Sequence, residues 1–236
     1  MAGTFLALIG LELTPNNHRE KIISGLGGFV GIAVLAALTT WMVGPTVAVP
    51  VVASMGASAV LLFAAPHGPL SQPWPFAIGH LISAAIGVCC ARWIPDSMLA
   101  GAAAVGLAIT AMYYTRSIHP PGGATALTAV LGGAAVKNLG FEYVLLPVGA
   151  NVVVLLAMAV AFNGLFPWRR YPASLVRHTA LKGQPLREDW AFALAQIESL
   201  ADVSEDELVE LHTFAVQHAD MRRSSRRPAT TVARGK

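Results

Sequence analysis

The sequence predicts an all-α protein: a polytopic membrane helix bundle of two inverted three-segment repeats with broken or half helices, followed by a small helical cytoplasmic tail. Three observations carry this. The chain of 236 residues is 55% hydrophobic and 12% charged, whereas a soluble domain carries about 25% charged residues. Between residues 22 and 166 the only charges are Arg92, Arg116, Lys137, Asp96 and Glu142, and all others lie at the two ends. Finally, a proline- and glycine-rich break, SIHPPGGATAL from Ser117 to Leu127, runs directly into an apolar segment.

A membrane span needs about 17 to 25 mostly apolar residues. That criterion gives a first segment at 22–43 and a second at 47–65, both uncharged. The third, 76–91, contains His80, with Arg92 placed to snorkel at its end. The fourth, 97–115, is uncharged. The fifth, 121–136, is rich in glycine and alanine and short for a crossing, so it reads as a half-helix or a re-entrant segment. The sixth, 144–166, contains Pro147, Asn151 and Asn163. Trp168, Arg169, Arg170 and Tyr171 then form an interfacial anchor of aromatic and basic side chains.

Beyond the anchor, residues 187–201 and 205–219 have helical apolar periodicity, and Ser204 to Glu207 reads as a capping box opening the second helix. The end is basic and poor in apolar residues, the composition of a disordered tail. The expected organisation is a cytoplasmic N-terminal segment at 1–21, a transmembrane domain at 22–167, a helical tail at 168–221 and a disordered end at 222–236. The N-terminus lacks a basic region before its apolar stretch and a small-residue cleavage site, so no cleaved signal peptide is expected. With six crossings and a cytoplasmic N-terminus, the inner loops hold Arg19, Lys21, Arg116, Arg169 and Arg170, and the outer ones Arg92 and Lys137. That is the positive-inside pattern of a multi-pass protein of the bacterial inner membrane with both termini cytoplasmic. A four-span count, with segments two and five dipping in, also leaves both termini on one side.

Gly56-Ala57-Ser58-Ala59 and Gly123-Ala124-Thr125-Ala126 share the pattern Gly-Ala-[Ser/Thr]-Ala, each near or after prolines. Downstream, IGHL at 78–81 and VGAN at 148–151 each begin apolar-Gly and soon carry one polar residue, His80 or Asn151. Two three-segment units with an odd number of crossings must be inverted, the architecture of secondary transporters whose sites form from broken helices. A helix starting inside the membrane presents unpaired N–H groups and the positive end of its dipole. Glycines there let a small anion approach the backbone. On this reading the anion sits on the amides of Gly122, Gly123 and Ala124, after Pro120 and Pro121, with Thr125 and His119 completing its shell. The second half-helix supplies Gly56, Ala57 and Ser58. The competing reading of residues 56–59 is tight helix packing, which favours the same small residues.

HPPGGATAL at 119–127, GASAVLLFAAPHGPLSQP at 56–73 and IGHL at 78–81 resemble the HPP family of integral membrane proteins, named for its His-Pro-Pro. The resemblance covers roughly 15–172, including RRYP at 169–172. Similar proteins in chloroplasts and cyanobacteria are associated with nitrite transport, which makes nitrite the anion the resemblance implies. Family descriptions usually count four transmembrane helices, against the six segments read here. Some members append paired nucleotide-sensing CBS modules, for which this tail is too short.

His67, His80 and His119 lack any metal-like spacing such as i, i+4, so no metal site and no cofactor are expected. The adjacent Cys89 and Cys90 read as packing residues. A buried histidine is commonly a satisfied packing residue, yet one polar group among apolar ones also tends to line a cavity, which keeps His80 a candidate. Arg116 at a membrane mouth attracts anions or simply anchors the loop. The spans hold no carboxylate, the usual relay of cation exchangers. No nucleophile-base pair and no phosphate-binding loop points to an enzyme. The basic excess belongs to the tail, so nucleic acid is not an expected partner. The expected partners are the bilayer, a small anion and further copies of the chain in a homo-oligomer. The alternative function is a membrane-anchored sensory or interaction protein whose cytoplasmic tail binds a partner.

Overall fold

The computed structural model describes residues 18–175 and 205–225, which are all-helical and contain no strand. The helices are α1 (His18–Val43), α2 (Pro45–Ala64), α3 (Pro73–Trp93), α4 (Ser97–Tyr114), α5 (Pro121–Leu131), α6 (Ala134–Leu139), α7 (Ala150–Gly164) and α8 (Glu205–Ser225). Local chemistry sets most boundaries. Prolines open α2, α3 and α5 at the position where a missing N–H costs nothing. Asp96 caps α4 by accepting from Leu99 N at 2.7 Å. Gly133, at φ 88°, separates α5 from α6, so the fifth expected segment is broken in two. The sixth begins as a wide turn over Val144–Gly149, interrupted at Leu146 and carrying Pro147, before α7 continues it.

Five helices are long and apolar enough to cross a membrane: α1, α2, α3, α4 and the stretch Val144–Gly164. The chain is a polytopic helix bundle. With 11 residues, α5 reaches about 16 Å, half of a hydrocarbon core of about 30 Å. Two compact units divide the chain, Met1–Val176 and Arg177–Lys236. In the second, α8 clusters Leu211, Phe214 and Ala215. The expected tail helix at 187–201 and the cap at Ser204 fall outside the described residues; of the expected disordered end at 222–236, residues 222–225 belong to α8 and the rest also fall outside.

The two faces of the membrane unit are distinguished by their contacts. On one, here the proximal face, the start of α1 meets the ends of α2 and α7. Arg169, 1% exposed, ion-pairs with Glu20, donates to Phe63 O and reaches Ser24 Oγ at 3.1 Å and Asn163 Oδ1 at 3.1 Å. Arg169 is therefore an internal clamp rather than the interfacial anchor its neighbours suggest, while Arg170 is exposed. Tyr171 donates to Ser71 O at 2.7 Å, and Ala173 N donates to Gln72 Oε1 at 3.0 Å. Burial pushes the Tyr171 hydroxyl's pKa up, so it stays a donor. These bonds hold the 65–72 connection against the end of the unit. The distal face carries the ends of α3 and α5, the start of α4, and α6, where Lys137 Nζ lies 3.4 Å from Ser97 Oγ. Large apolar side chains such as Phe29, Trp41, Val60, Leu145 and Val153 point outward, as lipid contact requires.

The two Gly-Ala-[Ser/Thr]-Ala copies lie on helices of opposite direction, but they are unequal. Gly56 sits midway along the full-length α2, whose start is Pro45, so this copy opens no helix. Among the described residues only α5 is a half helix that begins inside the unit. What α5 does share with its neighbour is a very close approach. A Cβ on Gly122 would stand 2.8 Å from Ser83 Oγ and 2.9 Å from Gly79 O, and one on Gly87 would stand 2.6 Å from Ala126 O. Small residues let the α3 and α5 backbones touch, the packing that membranes favour where no hydrophobic drive separates helix from lipid.

Gly122→Ala and Gly87→Ala should therefore each lower the thermal unfolding midpoint in detergent, by the equivalent of about 1 to 3 kcal/mol of overpacking. Gly106→Ala, whose added Cβ meets nothing within 4 Å, should leave it unchanged. Equal midpoints for all three variants would show that the α3–α5 approach is not tight.

Candidate functional site

The prolines and glycines before α5 first solve a backbone problem. A helix start leaves four N–H groups without partners, and each costs several kcal/mol in lipid. Pro120 and Pro121 have no N–H to satisfy. Gly122 N donates to His119 O at 2.8 Å and Gly123 N to Pro120 O at 3.0 Å. The start of α5 is thus closed on itself, which corrects the expectation that these amides hold an anion. Ala124 is exposed, as is Ala57 on α2, and Gly56 is half-buried with open space at its Cβ position. The half-helix start contributes side chains to the site, not backbone donors.

Those side chains form one buried chain of hydrogen bonds. Thr125 Oγ1 lies 2.7 Å from His80 Nδ1, His80 Nε2 lies 2.7 Å from Ser58 Oγ, and Ser58 Oγ lies 2.9 Å from His119 Nε2. His119 Nδ1 lies 2.9 Å from Leu70 O. All four side chains have no exposed surface. The carbonyl of Leu70 can only accept, so His119 carries its proton on Nδ1 and its Nε2 accepts from Ser58. Ser58, having given its one proton, accepts from His80 Nε2–H. His80 Nδ1 then accepts from the Thr125 hydroxyl. With both rings neutral, every donor points the same way, from Thr125 toward the proximal face.

Each member is placed by its own element. Ser58 comes from α2, His80 from α3, Thr125 from the second turn of α5, His119 from the connection before it and Leu70 from the 65–72 connection. The tight contact of Gly79 and Gly122 brings His80 and Thr125 within reach. A further wall is Phe76, whose ring stands edge-on to His80 and His119 with centroids 5.2 and 5.3 Å away. Tyr143 donates to Thr125 O at 3.0 Å and fixes α5 from the distal side.

Ser58, His80, His119 and Thr125 therefore come together, and Pro120 and Pro121 shape the approach of α5. Asn151 is equally buried, but its Oδ1 lies 2.7 Å from Thr39 Oγ1 on α1, and its Nδ2 has no partner among the described residues. It belongs to the α1–α7 contact, not to the chain. Arg116 is exposed at the proximal end of α4, with φ 52°. His67 lies at the surface, its Nε2 3.1 Å from Arg170 O. No group of three or more potential metal ligands occurs among the described residues.

The family description "HPP, transmembrane region" matches residues 13–172. The chain belongs to the HPP family. This HPP-family chain is an integral multi-pass membrane protein. It is also similar to two transmembrane proteins of Dictyostelium discoideum, 40% identical over 153 residues and 35% identical over 151 residues. Those alignments cover 63% and 62% of this chain and 49% and 53% of the relatives, so the chain spans about half the length of the curated relatives it matches. No solved structure matches the chain significantly.

Sequence reasoning named the four side chains of the HPP-family site but missed Phe76, Tyr143 and Leu70. Leu70 acts through its carbonyl, which no side-chain pattern reports. Phe76 lies one turn before His80, the only spacing that could have signalled it.

The assigned directions can be checked by nitrogen NMR of histidine-labelled protein at neutral pH. His119 should show the proton on Nδ1 and His80 on Nε2, and Ser58→Ala, which orphans a nitrogen on each ring, should lower stability by about 1 to 3 kcal/mol. A spectrum with the two tautomers exchanged would reverse the chain.

Proposed function

We propose that this protein carries a small inorganic anion, nitrite in the first instance, across the bacterial inner membrane, using the Ser58, His80, His119 and Thr125 groups as its internal site. One observation carries the reading: between α2, α3 and α5 the membrane interior holds a chain of hydroxyl and imidazole groups with no carboxylate among them. The spans hold no fixed negative charge to favour a cation, whereas hydroxyl and imidazole N–H groups can donate to an anion. Closed, the groups satisfy one another. When α5 and the segment before it shift from α2 and α3, the Thr125 and Ser58 hydroxyls are released together from His80 and His119, and hydrogen bonds to an anion contribute about 1.5 to 3 kcal/mol each. Once the site opens and His119 Nδ1–H leaves the Leu70 carbonyl for water, the uniform direction also suits a proton relay, since each group can then pass its proton onward and accept the next. Anion and proton would then move together, and no covalent step is involved.

The orientation follows the basic residues. Arg116, Arg169 and Arg170 lie toward the proximal face and Arg92 and Lys137 toward the distal one, which supports a cytoplasmic proximal face with both termini inside. A second reading, a membrane-anchored sensory or interaction protein, draws on α8 lying beyond the residues the family shares.

Purified protein in liposomes decides between them. Uptake of nitrite, nitrate, formate and chloride is measured with and without a pH gradient, for the full chain and for a chain ending at residue 172. The transport reading expects both chains to move nitrite. It expects Thr125→Val to weaken apparent affinity roughly ten- to a hundredfold, and His119→Gln to remove the response to the pH gradient. Normal, gradient-dependent uptake by both variants discards this site, and no uptake of any of the four anions by the folded full chain leaves the sensory reading.

A further inference from the structure

Three basic side chains stand within the membrane region, and two of them meet. Arg92 in the last turn of α3 and Lys137 on α6 both line one distal cavity of about 340 Å³, together with Asn138 and the apolar Val88, Ala129 and Val136. The third, Arg116, belongs to the proximal face. The two carboxylates of the region are not among the residues lining this cavity: Asp96, beside Ser97, accepts from Leu99 N in the α4 cap, and Glu142 is exposed. Among the described residues neither Arg92 nor Lys137 makes an ion pair. Lys137 Nζ lies 3.4 Å from the Ser97 hydroxyl.

Helix dipoles oppose these charges without cancelling them. The C-termini of α3 and α5 both end at this face and contribute about half a negative charge each. The N-terminus of α4 at the same face adds about half a positive charge, which its cap Asp96 meets, so the groups that line the cavity keep a net positive charge. It stands over an apolar floor, where Val88, Ala129 and Val136 are buried and low-dielectric walls concentrate the field. The Asn138 amide can donate a hydrogen bond to whatever is attracted. The floor is also close to the buried chain, because Ala129 follows Thr125 by one turn of α5, about 6 Å along its axis.

Resting on the anion-transport reading, we propose that Arg92, Lys137 and Asn138 form a distal vestibule that binds a compact anion and delivers it to the Thr125 end of the buried chain. The chemistry recognised is a small, singly charged oxyanion. The phosphate of an anionic lipid offers the same chemistry from the membrane side, so the test separates the two sources.

The test reads the local charge directly and needs no transport. In a Cys89→Ala, Cys90→Ala background, Ala91→Cys places a reporter thiol in the cavity. Its reaction rate with an anionic and with a cationic thiosulfonate is compared with that of a free small thiol, first in phospholipid-free detergent micelles. The anionic reagent should be favoured about tenfold, Arg92→Gln and Lys137→Gln should each reduce that preference severalfold, and millimolar nitrite or nitrate should slow the anionic reagent. The same measurements follow in nanodiscs with and without phosphatidylglycerol. Preference and protection that survive the anionic lipid support a vestibule for a free anion, and their loss assigns the site to a lipid headgroup and overturns the proposal. Equal rates for the two reagents in micelles overturn it too, whatever the uptake assay gives. If the preference persists while liposomes take up no anion, the vestibule stands and the transport reading fails.

Discussion

Ser58 Oγ stands between two imidazoles, accepting from His80 and donating to His119, and lipid offers no substitute for either partner. A hydroxyl or ring nitrogen left unpaired in the membrane interior costs about 1 to 3 kcal/mol even by conservative mutational measures. Four polar side chains from α2, α3, α5 and the segment before α5 can coexist there only if they meet. That requirement fixes the depth of α2 against α3 and the position of the α5 start. The last acceptor, the Leu70 carbonyl, removes the remaining ambiguity, because it can only accept and so orients every bond behind it.

The meeting is possible because of what is missing elsewhere. Gly79, Gly87 and Gly122 lack the Cβ atoms that would keep α3 and α5 apart, and the backbones close to a distance at which a histidine on one reaches a threonine on the other. The break after α5 has a matching effect. Ending the helix at Leu131 leaves room at the distal face for α6 and the cavity beside it, so the cavity and the buried chain lie along the same short helix. Packing and the buried chain are thus consequences of one contact between small residues.

The proximal face is closed by a different device. Arg169 is desolvated, a state that is costly for a lone cation, but its planar fork is matched by Glu20, Ser24, Asn163 and the Phe63 carbonyl. These partners come from α1, α2 and α7, so the clamp holds three helix ends together. Tyr171 and Gln72 extend it to the 65–72 connection. That connection carries Leu70, and the clamp therefore steadies the acceptor that sets the direction of the buried chain.

The sequence by itself determined the membrane class, the segment order and the break before α5, because these follow from apolar run length, charge distribution and the fixed geometry of proline. It also singled out Ser58, His80, His119 and Thr125, since isolated polar residues in apolar runs are conspicuous. It misread the backbone around them. The HPPGG motif looks like an open anion-binding helix start, but the Gly122 and Gly123 amides are spent on the carbonyls of His119 and Pro120. Gly56 resembles its counterpart Gly123, yet it lies within a continuous helix. Only the tertiary structure decided that four side chains from separate segments share one chain of protons, that Arg169 turns inward while Arg170 does not, and that Arg92 meets Lys137 across a cavity. Pattern and propensity report what one segment prefers along its own axis; which polar groups find each other depends on how closely helices approach, and that distance is set by pairs of residues far apart in the chain.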